Sequence, residues 1–202
     1  MQKNLIVINT LKMETVMSEN ISNRKMHPHK FILWVAIGSI SMMFAGFTSA
    51  YIVKSNQAGW QPVQMPKIFF LSTVLIIASS GTVYLAYRAM KNRQTANYKT
   101  LVFVTVLLGL AFTVTQYFGF KELWAQNITF TESVAGSFFY IITGVHALHV
   151  IGGVIALIVI FLRAFNSKTK YYSTTPVEIA GVYWHFVDIL WLYLFAFFLL
   201  VA

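Results

Sequence analysis

Four stretches of the chain, Phe31–Val53, Ile68–Tyr87, Thr100–Phe120 and Ser133–Leu162, each run for at least 20 residues without an Asp, Glu, Lys or Arg. A fifth, Ile179–Ala202, is broken only by Asp188. A helix rises 1.5 Å per residue, so about 20 residues cross a hydrocarbon layer about 30 Å thick. Five such runs leave an all-α polytopic membrane protein with five transmembrane helices as the reading. The helices are expected at about 31–53, 67–89, 100–121, 133–163 and 177–201, after a polar tail over 1–30. Residues 31–202 then form one transmembrane domain, with no internal repeat or second domain. The composition agrees: 57% of the 202 residues are hydrophobic and 10% charged, against about 25% charged in an ordinary soluble domain.

The net charge of +9 would suit a nucleic-acid partner, but its distribution points elsewhere. Of 15 Lys and Arg residues, five precede the first span, four lie around the second loop and three around the fourth. Only Lys54, Lys67 and Lys121 fall on the other side. This is the positive-inside asymmetry, which puts the N-terminus in the cytoplasm and the C-terminus in the opposite compartment. The basic charge is therefore topology, with some attraction to anionic lipid. There are no cysteines, so disulfides, thiolate metal sites and c-type haem attachment are excluded. The apolar run Leu5–Ile8 is too short for the core of a signal peptide, and residues 1–30 read as a cytoplasmic tail, with Met13, Met17 and Met26 as alternative starts.

Within the spans, Ser41, Ala45 and Ser49 form a row of small residues along the first helix, the pattern that lets helix backbones approach in lipid. Pro66 suits the first turn of the second helix. Trp60 and Trp124 are placed by their amphipathic rings at the outer interface. The fourth helix, with Gly136, Gly144 and Gly152-Gly153, is long enough to require tilt or protrusion. Thr175-Pro176-Val177-Glu178 reads as a capping box opening the fifth.

The polar residues inside these spans are the candidates for function, because a charged side chain at the centre of a spanning helix costs about 2.5–3.5 kcal/mol on translocon scales. His146 and His149 share one face of the fourth helix. His185 and Asp188 are one turn apart on the fifth. At 1.5 Å per residue, His146 lies about 18 Å from the outer end of its helix and Asp188 about 16 Å from the inner end of the next. A cluster of His146, His149, His185 and Asp188 between adjacent helices follows. It could hold a haem through His149 and His185, a metal through three His and Asp188, or a proton path. It could equally lock two helices by hydrogen bonds, the commoner use of such groups. Glu178 reads as a cap, and Gln116 as interhelical glue.

The residues around these groups resemble one family. Tyr183-Trp184-His185-Phe186-Val187-Asp188 followed by Trp191 is similar to the signature of cytochrome c oxidase subunit III, the third subunit of haem-copper terminal oxidases. The penultimate helix adds Gly136-Ser137-Phe138-Phe139, Thr143-Gly144 and His146-Ala147-Leu148-His149-Val150-Ile151-Gly152. The helix before it adds Leu108-Gly109, Phe112-Thr113 and Gln116. Leu71-Ser72-Thr73 through Ala78-Ser79-Ser80-Gly81 and Gly46-Phe47 complete the resemblance, which covers residues 31–202. Seven helices mark the family's longer members and five its shorter bacterial ones, which this chain resembles.

The resemblance implies a subunit with no redox centre, haem and copper being held by partner subunits. It implies packing on subunit I as the main contact, with subunit II and other oxidase subunits nearby, and compatibility with a larger respiratory supercomplex. It also implies bound phospholipid, support of proton uptake and of stability during turnover, and a place in the bacterial cytoplasmic (inner) membrane in aerobic electron transport and proton translocation. His146, His149, Glu178, His185, Asp188, Trp184 and Gln116 become structural or lipid-site candidates, with no catalytic or metal-binding residue among them. Many members carry a glutamate where this chain has Ile40, and another where it has Gly119. The alternative within the same class is subunit III of a quinol oxidase; a small transporter or a b-type cytochrome are the alternatives outside it.

Overall fold

A computed structural model of the chain describes residues 28–57, 60, 63, 65–126, 128–129, 133–165 and 175–201. Among these residues it is all-helical, with α1 at Pro28–Ser55, α2 at Ile68–Lys91, α3 at Thr95–Ala125, α4 at Val134–Phe165 and α5 at Thr175–Val201. All five are long and apolar enough to cross a membrane. The N-terminal tail up to residue 27 and most of the turn before α5 lie outside the described residues.

The helix ends have local causes. Pro28 opens α1, where its missing N–H is not needed. The Pro66 carbonyl accepts the Phe69 amide at 3.1 Å, leading the chain into α2. Ser133 caps α4, its Oγ accepting the Gly136 amide at 2.9 Å. The α2 C-terminus closes as a Schellman turn: the Arg93 amide donates to Met90 and the Gln94 amide to Ala89, each at 3.0 Å. Arg93 sits at φ 57°, the left-handed conformation this turn needs.

Helix α3 starts at Thr95, five residues before the apolar run that marks it in the sequence. The reason is tertiary: Tyr98 is buried with Ala86, Ala89, Val102 and Val177, so packing carries the helix past the hydrocarbon edge.

Helix α2 packs on α3, α3 on α4, α4 on α5 and α5 back on α2, which closes a four-helix ring. In its most apolar window α5 buries 39% of its residues and α1 11%, so α5 is the most enclosed element and α1 the most peripheral. From Ile37 onward, α1 is held by long side chains reaching across. Phe44 meets the rings of His146 and His149 at 6.3 and 5.9 Å, and Tyr51 meets Phe197 and Phe198 at 5.4 and 5.6 Å. Thr48 and Tyr193 share a hydrogen bond of 2.9 Å. In lipid, where apolar contact alone does little to drive association, such close polar and aromatic contacts carry the packing.

Candidate functional site

The polar interior is organised by two indoles of α5, seven residues and hence two turns apart. Trp184 is 1% exposed and donates from Nε1 to Ser79 Oγ on α2 at 3.0 Å. Its ring lies against Gly109 on α3 and Gly153 on α4, where an added Cβ would fall 2.8 and 2.9 Å from ring carbons. One side chain thus touches all three other helices of the ring. Trp191 repeats the arrangement at the next level, donating to Thr73 Oγ1 on α2 at 3.0 Å. It stacks on His146 of α4 at 5.2 Å and meets Phe112 of α3 edge-on at 5.4 Å. Tryptophan supplies a large apolar body with one donor, and here each donor finds a hydroxyl.

The four groups expected to form one cluster are divided. His185 Nδ1 shares a 2.7 Å hydrogen bond with Ser80 Oγ on α2. Asp188, 3% exposed, lies near that hydroxyl, yet neither of its oxygens has a hydrogen-bond partner among the described residues. His146 is 1% exposed and neither ring nitrogen is hydrogen-bonded; its contacts are the rings of Trp191, Phe112 and Phe44. His149 Nδ1 meets the Val145 carbonyl at 2.8 Å, and its own carbonyl accepts Tyr183 Oη–H at 3.1 Å. One pair therefore works against α2 and the other against α1 and the aromatic core. His149 and His185, the candidate haem pair, turn to different helices. Among the described residues no three His, Cys, Asp or Glu side chains are grouped to hold a metal ion.

Gln116 is buried and donates from Nε2 to Ser72 Oγ at 3.2 Å, tying α3 to α2. Thr82 and Thr105 join the same two helices at 2.9 Å. Glu178 lies in the first turn of α5, where a negative charge suits the helix dipole. Gly119 is buried with an added Cβ only 2.7 Å from the Phe69 ring, which leaves a longer side chain no room. Ile40 is half-buried and packs on the main core.

The partners Ser72, Thr73, Ser79 and Ser80 escaped the sequence reading as hydrogen-bonding residues. All four lie on α2, and their spacing, one pair a turn or two from the other, was the available signal.

What the arrangement can do chemically is hold helices together. Apart from His149, whose ring meets a carbonyl of its own helix, its donors and acceptors face one another across helices, and its two least satisfied groups, His146 and Asp188, are enclosed by the chain itself.

Comparison with known proteins adds a second line. The family model described as "Cytochrome c oxidase subunit III" matches residues 14–201. A "Probable cytochrome c oxidase subunit 3" of Nocardia farcinica is 35% identical over 170 residues, covering 82% of this chain and 83% of that protein. The protein of the same description from Mycobacterium tuberculosis strain H37Rv is 34% identical, covering 81% and 82%. A "Cytochrome c oxidase subunit 3" of Bacillus sp. strain PS3 is 28% identical over 83% of both chains.

Proposed function

The chain belongs to the cytochrome c oxidase subunit III family, and from that premise we propose that it is the non-catalytic third subunit of a respiratory haem-copper oxygen reductase of the cytochrome c oxidase type. The observation that carries the reading is the extent of the match, which runs through all five helices to residue 201. The interior supports it physically: the hydroxyls of Ser72, Thr73 and Ser79, the glutamine and both indoles of α5 are engaged between helices, an arrangement suited to a scaffold.

In this reading haem and copper reside in partner subunits, subunit I being the main contact and subunit II a further one. The chain lies in the bacterial cytoplasmic membrane with its N-terminus inside, as the twelve cations on that side of 15 suggest. It binds phospholipid and supports proton uptake and durability of the catalytic subunit during turnover. That support is carried without in-membrane glutamates at positions 40 and 119, where Ile and Gly stand.

The test is oxygen uptake driven by reduced cytochrome c in membranes with and without this chain. The same initial rate per haem, followed by faster loss of activity over prolonged turnover when the chain is missing, is the expected result. Unchanged durability would contradict the proposed role, and turnover with a quinol but not with cytochrome c would move the complex to the quinol oxidases.

A further inference from the structure

Inside a hydrocarbon layer every polar atom must find its partner in protein. His149 meets that demand with one ring nitrogen only. Its Nδ1 lies 2.8 Å from the Val145 carbonyl of its own helix. A carbonyl can only accept, so Nδ1 carries the proton and the neutral ring presents a lone pair at Nε2. Nε2 has no hydrogen bond among the described residues and, unlike both nitrogens of His146, is not enclosed by the chain.

Depth and shape narrow what can serve it. His149 is midway along the 32 residues of α4, about 22 Å from either end at 1.5 Å per residue. Headgroups and bulk water are out of reach there, and acyl chains offer no donor. The outer flank of the helix is open to close approach: Gly152, about one turn on, is exposed, and a Cβ there would meet nothing within 4 Å. From Ile37 onward α1 has no Cα within 8 Å of one in α4, so the two backbones leave a seam. Phe44 crosses it to meet the His149 ring at 5.9 Å. His185 also keeps an unbonded Nε2, but its partner Ser80 Oγ can donate or accept, so that nitrogen does not specify what it needs.

We propose that the α4 face at His149 and Gly152 docks a spanning helix of subunit I, which turns an O–H or N–H donor onto His149 Nε2. The inference rests on the subunit role proposed above and gives its main contact a place and a chemistry. Only a spanning segment brings a donor to this depth.

The chain has no cysteine, so Gly152→Cys supplies a single thiol on this face. The complex purified through the tagged, full-length chain is labelled with benzophenone maleimide and irradiated, and mass spectrometry identifies what becomes attached. Subunit I is expected from Gly152→Cys and not from Leu107→Cys, on the exposed side of α3. Attachment to a second copy of this chain, attachment to lipid alone, or equal attachment from both positions would overturn the docking face. The hydrogen bond is read from His149→Leu and His149→Gln, the glutamine keeping an accepting oxygen near the place of Nε2. His149→Leu should weaken retention of subunit I about threefold, from about 0.6 kcal/mol for such a bond, and His149→Gln should restore most of it. Equal retention in both variants would overturn the bond. The cross-link is made with His149 intact, so it decides the face even where a His149 variant fails to fold. A preparation without oxidase subunits would overturn the subunit role and the face together, whereas subunit I retained but not attached at Gly152→Cys would overturn the face alone.

Discussion

A methyl group at Gly153 would lie 2.9 Å from Cε3 of Trp184, and one at Gly109 would lie 2.8 Å from Cη2 of the same ring. Both neighbours are the body of a buried indole, fixed at its other end by Ser79, so neither can yield cheaply. Gly153→Ala and Gly109→Ala should each destabilise the chain by about 1–3 kcal/mol, the usual cost of overpacking. Gly152→Ala, one residue away with nothing within 4 Å of its Cβ, should be neutral or stabilising. Denaturant-induced unfolding in mild detergent distinguishes these outcomes, and equal effects at Gly152 and Gly153 would remove Trp184 from its central place. The residue scale is also where the sequence was least legible. His185 and Asp188 stood out as costly groups in an apolar run, and Trp184 and Trp191 through the family resemblance. Which hydroxyl each would meet depended on the rotation of α2 relative to α5, which periodicity in one helix does not reveal. His146 and Asp188 therefore looked like members of one cluster by depth, while their contacts lie with different neighbours.

At the scale of elements, the five helices could be read from the absence of charge alone, because spanning the hydrocarbon is a requirement on length. Their ends could not, since ends are set by local turns and by packing. Tyr98 pulls α3 back to Thr95, and Arg93 closes α2 by adopting φ 57°. Glycine takes that conformation without the steric cost a side chain adds. Arg93→Gly should therefore be neutral to stabilising by about 1 kcal/mol, and Arg93→Val should destabilise by at least as much. Between elements, the Gln116–Ser72 bond can be measured by a double-mutant cycle with Gln116→Leu and Ser72→Ala. A coupling of about 0.6 kcal/mol, the average for such bonds between membrane helices, is expected; a coupling of zero would mean that α2 and α3 are held by shape alone. The attachment of α1 is more exposed to perturbation, because it depends on a few long side chains. Phe44→Ala, which removes its contacts with both His146 and His149, should raise hydrogen exchange in residues 37–55 while α2 to α5 keep their protection. Uniform loss of protection would show that α1 is integral to the ring.

Across the whole molecule, a costly polar interior ties helices to one another. Soluble proteins hold helices together chiefly by excluding water, a force that lipid does not supply. This chain instead aligns two indoles, a glutamine and a row of hydroxyls across its helices, and it leaves the outer faces to large apolar side chains such as Ile77, Leu107, Leu148 and Ile189. No three potential metal ligands are grouped among the described residues, and the histidines are divided between separate neighbourhoods. The most direct test is gentle detergent purification of the tagged, full-length chain from its native membrane, with identification of the co-purifying chains and an optical spectrum of the product before and after the partners are stripped away. The account predicts that a haem-copper subunit I accompanies the chain and that the reduced haem bands leave with it. A chain that purifies without oxidase subunits, or that keeps reduced haem bands of its own after they are removed, would contradict it.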